Sequence, residues 1–220
     1  MKQEVTGLYA ITDQVLLSGE RFGPAVQAVL AGGARVVQYR DKSVDDECRL
    51  AQANLVVGAC RATGAVSIIN DDVELARKVG ADGVHLGRAD LSIAEARQVL
   101  GQSAILGVSC YNQLELARAA VSEGADYVAV GSLYPSATKP EAVVASIDDL
   151  REIANEMTVP VVVIGGITPG NLFELYTAGA NAVAVVSAVF GAGPGKQITE
   201  ESVQQKALLF SKEWSRCEQV

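Results

Sequence analysis

The residues that could do chemistry in this chain fall in short clusters, each directly after an apolar run. Gln38-Tyr39-Arg40-Asp41-Lys42 follows Val36-Val37, and in extended backbone Gln38, Arg40 and Lys42 share one side. Two cations and an amide together suit an anion, most simply a di- or triphosphate. Asn70-Asp71-Asp72 ends another run, and Gly87-Arg88-Ala89-Asp90 a third. Carboxylates leaving adjacent strands can share one hard cation, and Mg²⁺ takes one or two carboxylates with substrate phosphate oxygens and water. Asp71 and Asp90 are the candidates. A plainer reading stands beside each. Arg40 and Lys42 could be solvated charges next to Asp41, Asp45 and Asp46, Asp72 could cap a helix over 73–79, and Asp90 could be a turn residue ahead of Ser92.

Further clusters follow the same rule. Ser109 ends a run and could donate to a ligand or to its own backbone. The stretch from Gly131 to Pro140 holds Ser136, Thr138 and Lys139 beside two prolines, a stiffened loop suited to clamping a substrate. Gly165-Gly166-Ile167-Thr168-Pro169-Gly170 and Val186-Ser187-Ala188 end two more runs, and glycine there lets a phosphate approach backbone N–H groups. His85 is the one histidine; inside an apolar run it reads as a hydrogen-bonded core residue rather than a general acid or base. No Ser-His-Asp set can be assembled, and no lysine lies buried in an apolar strand. The chemistry expected is charge stabilisation and positioning, without a protein nucleophile.

These clusters need elements that bring them to one place. Gly-Ala followed by an apolar run recurs at Gly33-Ala34, Gly80-Ala81, Gly124-Ala125 and Gly179-Ala180, at spacings of 47, 44 and 55 residues. Each copy follows a helical pattern, so the glycine reads as a helix C-cap. The spacing is too long for one βα unit and right for two. A second set of strand-like runs alternates with the copies, one before the first at 8–13 and the others between them at 66–70, 104–109 and 160–166. Helix starts are legible as a capping box at Ser92-Ile93-Ala94-Glu95, another at Ser202-Val203-Gln204-Gln205, and Thr168 ahead of Pro169. Eight strands alternating with helices, at roughly 27 residues per unit, give an α/β fold: a single (β/α)₈ TIM barrel over residues 1–220, whose strand C-terminal ends carry the active site.

Composition agrees and excludes other classes. The 220 residues are 49% hydrophobic, so the chain is not a disordered one. A net charge of −8 with no basic run argues against nucleic acid as a partner, and no apolar stretch is long enough for a membrane helix. The four cysteines form no Cys-x-x-Cys and the N-terminus shows no apolar signal core, so a reducing cytoplasm is the expected compartment.

The clusters together resemble those of the thiamine-phosphate synthase family: Gln38 to Lys42, Ile69-Asn70-Asp71, Gly83 to Gly87 with Asp90, Gly107-Val108-Ser109, Pro135 to Lys139, and Val163 to Ile167. The resemblance runs from about Leu8 to Phe190. It implies an enzyme that joins a hydroxymethylpyrimidine diphosphate to a thiazole phosphate, or its carboxylated form, giving thiamine phosphate and pyrophosphate. By the same resemblance Gln38, Tyr39, Arg40, Asp41, Lys42, Asn70, Ser109 and Lys139 would hold the pyrimidine diphosphate. Arg40, Lys42 and Lys139 would act on the leaving group. Ser136, Ala137, Thr138, Gly166, Val186 and Ser187 would hold the thiazole phosphate, and Asp71 and Asp90 would hold Mg²⁺. Pyrophosphate would leave first and the thiazole nitrogen, which carries no proton, would trap the resulting cation. The family often has Gln-Glu before the second metal aspartate; Arg88-Ala89 stands here, and Ser136 stands for a threonine while keeping the hydroxyl. A thiazole tautomerase-like barrel would be expected to lose the diphosphate and metal residues, all of which are present. A phosphate-sugar isomerase would need an acid/base pair, and a non-catalytic phosphate-ligand binder would take both substrates without releasing pyrophosphate. A homo-oligomer stays open.

Overall fold

A computed structural model describes residues 2–135, 144–192 and 198–219. Its strands are β1 (Gly7–Ile11), β2 (Val36–Tyr39), β3 (Val66–Asn70), β4 (Gly83–Leu86), β5 (Ile105–Tyr111), β6 (Tyr127–Gly131), β7 (Val161–Ile164) and β8 (Ala182–Val185). All run parallel and close into a barrel in sequence order, β1 pairing with β8 as well as with β2. The expected eight-stranded α/β barrel is the observed fold. Around it lie α1 (Phe22–Ala31), α2 (Asp46–Thr63), α3 (Val73–Val79), α4 (Ile93–Leu100), α5 (Leu114–Ser122), α6 (Ile147–Glu156), α7 (Leu172–Thr177), a short α8 (Ser187–Phe190) and α9 (Glu200–Cys217). Among the described residues no helix is long and apolar enough to cross a membrane.

The Gly-Ala repeat closes four helices in the same way. The Ala34 N–H reaches the Val29 carbonyl (3.1 Å) while the Gly33 N–H reaches that of Leu30 (2.9 Å), and the pair of bonds recurs at Gly80-Ala81, Gly124-Ala125 and Gly179-Ala180. This paired closure needs a left-handed residue. The four glycines supply it at φ +94°, +64°, +96° and +99°. The polar residue that follows then ties neighbouring strands together. Asp82, Asp126 and Asn181 accept the backbone N–H groups of Ser67, Leu106 and Val161 at 2.8, 2.8 and 2.7 Å. Asp126 also pairs with Arg97 and Lys2. Asp126→Ala takes the carboxylate from the Arg97 guanidinium, whose side chain is only 12% exposed and keeps the Ala104 and Gly124 carbonyls, and leaves a strand N–H without its acceptor. We expect it to lower stability by about 2–4 kcal/mol, read as a lower melting temperature. Since it acts at the N-terminal end of β5, away from the strand C-terminal ends where the sequence places the chemistry, kcat should not change.

Two layers of packing follow from strand alternation. Tyr9, Ile11, Val36, Val66, Ile68, Ile105, Tyr127 and Val162 fill the barrel, while Leu8, Val37, Tyr39, Val84, Leu106 and Val128 pack outward against the helices. One expected helix start moves. The second capping box forms between Thr199 and Ser202, not from Ser202 to Gln205, so α9 starts at Glu200. That register places Glu200 and Glu201 in the first turn, where acidic side chains complement the helix dipole.

Candidate active site

The mouth of the barrel, at the strand C-terminal ends, opens into a cavity of about 700 Å³ lined by residues of every strand or of the loop that follows it. Gln38, Arg40, Asn70, Ser109, Gly166, Val186 and Ser187 line it, as do His85 and Pro135. Ser136, Ala137, Thr138 and Lys139 lie outside the described residues.

Two residues that the resemblance assigned to the pyrimidine diphosphate are placed elsewhere. Tyr39 points outward, packs edge-on against Phe22, and bonds Gln52 and Asp41. Asp41 turns back on its own loop, accepting the Ser43 N–H at 2.6 Å. The reason is pleating: Tyr39 alternates with Gln38 and Arg40, so when those two face the cavity it cannot.

The loop after β2 is held by the end of β1. The buried Thr12 Oγ1 accepts the Arg40 N–H (2.9 Å), the Thr12 N–H bonds the Gln38 carbonyl (2.9 Å), and Gln14 Oε1 accepts the Lys42 N–H. Strand-end logic applied to Ile11-Thr12-Asp13 would have found this clamp. Thr12→Val keeps the shape and removes the bond that sets the Arg40 backbone, so kcat/KM should fall about tenfold, measured in steady-state kinetics.

At the rim Asp71 sits at φ +64°, a setting that Asp tolerates better than most residues, with its N–H on the His85 carbonyl (2.8 Å). Its carboxylate pairs with Lys42 and lies within hydrogen-bonding reach of Asp90, which accepts the Gly87 N–H at 2.6 Å. At Asp71, burial pushes the carboxyl up, but bonding to Lys42 and Asp90 outweighs it and holds the group below its usual value. At Asp90, burial and the neighbouring Asp71 charge raise it despite the Gly87 N–H. Two hard oxygen donors are thus brought together. Among the described residues no cluster of three or more acidic, His or Cys side chains forms. A cation here would complete its shell from water and ligand oxygens, which is the habit of Mg²⁺.

Across the cavity, Gly165 and Gly166 lie at φ +103° and +60°. A Cβ on Gly165 would meet the Ser132 Oγ at 1.9 Å, so the loops after β6 and β7 can pack this closely only with glycine there. His85 joins Tyr127 (2.9 Å) and Ser109 (2.8 Å) through its two ring nitrogens. The Tyr9 and Tyr127 hydroxyls meet at 2.9 Å inside the barrel.

Known proteins resemble this chain in sequence and in fold. A family model described as thiamine monophosphate synthase matches residues 8–189. The thiamine-phosphate synthase of Nitrosococcus oceani is 50% identical over 190 residues, covering 86% of this chain and 88% of that protein. That of Thiobacillus denitrificans is 52% identical over 186 residues, covering 84% and 88%. The solved thiamine phosphate pyrophosphorylase from Pyrococcus furiosus superposes with a TM-score of 0.84 at 33% identity, covering 96% of each chain. A match over most of the chain, in sequence and in fold, places this protein in the thiamine monophosphate synthase family.

Proposed function

We propose that this transferase joins a hydroxymethylpyrimidine diphosphate to a thiazole phosphate, releasing pyrophosphate, in the cytoplasm. The observation that carries the reading is the cluster of Lys42, Asp71 and Asp90 after adjacent strands, beside a cavity that Gln38, Arg40, Asn70 and Ser109 line. The diphosphate lies over Arg40 and Lys42, and the pyrimidine enters the barrel between Gln38 and Ser109. Asp71 and Asp90 hold a Mg²⁺, which when bound supplies positive charge to the departing pyrophosphate. Lys42, already paired with Asp71, swings to the leaving group as that charge develops. The thiazole phosphate sits against Gly166, Val186 and Ser187, with its ring nitrogen facing the pyrimidine methylene. The C–O bond breaks first, the electron pair leaving with pyrophosphate, and the nitrogen lone pair then forms the new C–N bond. No proton is removed, so the site needs no general base. His85 bonds the hydroxyls of Tyr127 and Ser109. Incubation of the protein with both substrates and Mg²⁺ should give thiamine phosphate and pyrophosphate in equal amounts. Folded protein that binds both substrates and forms neither product would refute the assignment.

A further inference from the structure

Five side chains from five strands form one hydrogen-bonded chain through the barrel. Gln38 Nε2 donates to the Tyr9 hydroxyl (2.7 Å), which meets that of Tyr127 (2.9 Å); Tyr127 meets His85 Nδ1 (2.9 Å), and His85 Nε2 meets Ser109 Oγ (2.8 Å). Tyr9 and Tyr127 are fully buried, and burial pushes both phenols well above their usual value, so both remain neutral donors. Their hydrogens must therefore each find an acceptor. Tyr9 accepts from Gln38, so its own hydrogen goes to Tyr127. With the imidazole neutral, Tyr127 then donates to His85 Nδ1 and the ring proton sits on Nε2, where it is donated to Ser109. The Ser109 hydrogen is left to point at the cavity, and Gln38, with its amide nitrogen turned to Tyr9, offers its carbonyl oxygen.

We propose that the Tyr9–Tyr127 hydroxyl pair, acting through His85, is a positioning device that fixes Gln38 as an acceptor and Ser109 as a donor toward the ring in the cavity. This rests on the reading that Gln38 and Ser109 flank the pyrimidine. An aminopyrimidine matches this polarity, with its amino N–H toward Gln38 and a ring nitrogen toward Ser109. The analogue with oxo in place of amino presents an acceptor to the Gln38 oxygen and is rejected. Tyr127 is the hub. Without its hydroxyl, Tyr9 can donate to Gln38 and let the amide turn over, and His85 can change tautomer and draw the Ser109 hydrogen away from the ligand. The ring itself is retained in Tyr127→Phe, filling the space that Gly107 leaves for it, since a Cβ there would lie 1.9 Å from Tyr127 Cζ.

The test compares kcat/KM for the amino substrate and its oxo analogue in wild type, Tyr127→Phe and Tyr9→Phe, with Gln38→Ala and Ser109→Ala as references. Wild type should favour the amino substrate by about a hundredfold or more. Each Phe variant should narrow that ratio about tenfold, while KM for the thiazole phosphate holds. A loss of packing alone would depress both pyrimidines equally and leave the ratio intact. An undiminished ratio in both folded Phe variants, with Gln38→Ala and Ser109→Ala still raising the pyrimidine KM, overturns the device and leaves the pocket assignment standing. An unchanged pyrimidine KM in Gln38→Ala and Ser109→Ala instead refutes the pocket assignment, and the device falls with it.

Discussion

Asp71→Asn should lower kcat by about a thousandfold, roughly 4 kcal/mol of transition-state stabilisation, without unfolding the protein. Asp71 faces Lys42 and Asp90 at once, so its loss removes one carboxylate of the proposed cation site and the partner of Lys42. Asparagine is the cleaner variant. The residue sits at φ +64°, which Asn and Asp tolerate, whereas Asp71→Ala adds backbone strain of about 1 kcal/mol to the lost charge. Both variants should also need far more Mg²⁺ for half-maximal rate. Turnover near the wild-type rate at saturating Mg²⁺ would remove Asp71 from the metal site.

The second large effect is on stability, and its sign depends on where a methyl group is added. A Cβ on Gly83 would lie 2.0 Å from the Ile105 carbonyl oxygen, inside the ladder that joins β4 to β5. No rotamer relieves a clash with a neighbouring backbone. Gly83→Ala should therefore part the two strands and cost about 3 kcal/mol or more, a drop in melting temperature of roughly 6–12 °C for a domain of this size. Gly58, inside α2, has open space where its Cβ would go. Gly58→Ala should stabilise by about 0.5–1 kcal/mol. Thermal melts of the two variants check both signs; equal shifts would mean that the β4–β5 contact does not limit the barrel.

The barrel was legible because its signals are local. A helix closed by a left-handed glycine followed by a buried alanine writes the same dipeptide four times, and each copy announces the strand behind it. Much of the site was legible for a related reason: reading what each strand ends on finds Gln38, Arg40, Asn70, Ser109 and Gly166, all of which line the cavity. Tyr39 entered through the family resemblance against the alternation that puts Gln38 and Arg40 inward, and the pleat prevailed. Lys42 lies beyond the last residue of β2, where alternation no longer holds, and its partner Asp71 comes from the next strand. The hydroxyl pair of Tyr9 and Tyr127 leaves no trace in sequence. A tyrosine inside an apolar strand reads as packing, and the residues it meets here are 118 positions apart.

The central claim is that these charges make the pyrophosphate leave before the new bond forms. Positional isotope exchange tests it directly. The pyrimidine diphosphate is made with ¹⁸O in the bridge between its methylene carbon and phosphorus, then incubated with the enzyme, Mg²⁺ and a thiazole phosphate analogue whose ring nitrogen cannot attack. Prior cleavage turns the bridging oxygen into one of several equivalent oxygens on that phosphorus, so the recovered substrate should carry ¹⁸O outside the bridge. The label staying wholly in the bridge, while the same enzyme turns over the true thiazole at a rate that tracks the nucleophilicity of its nitrogen, would contradict the account.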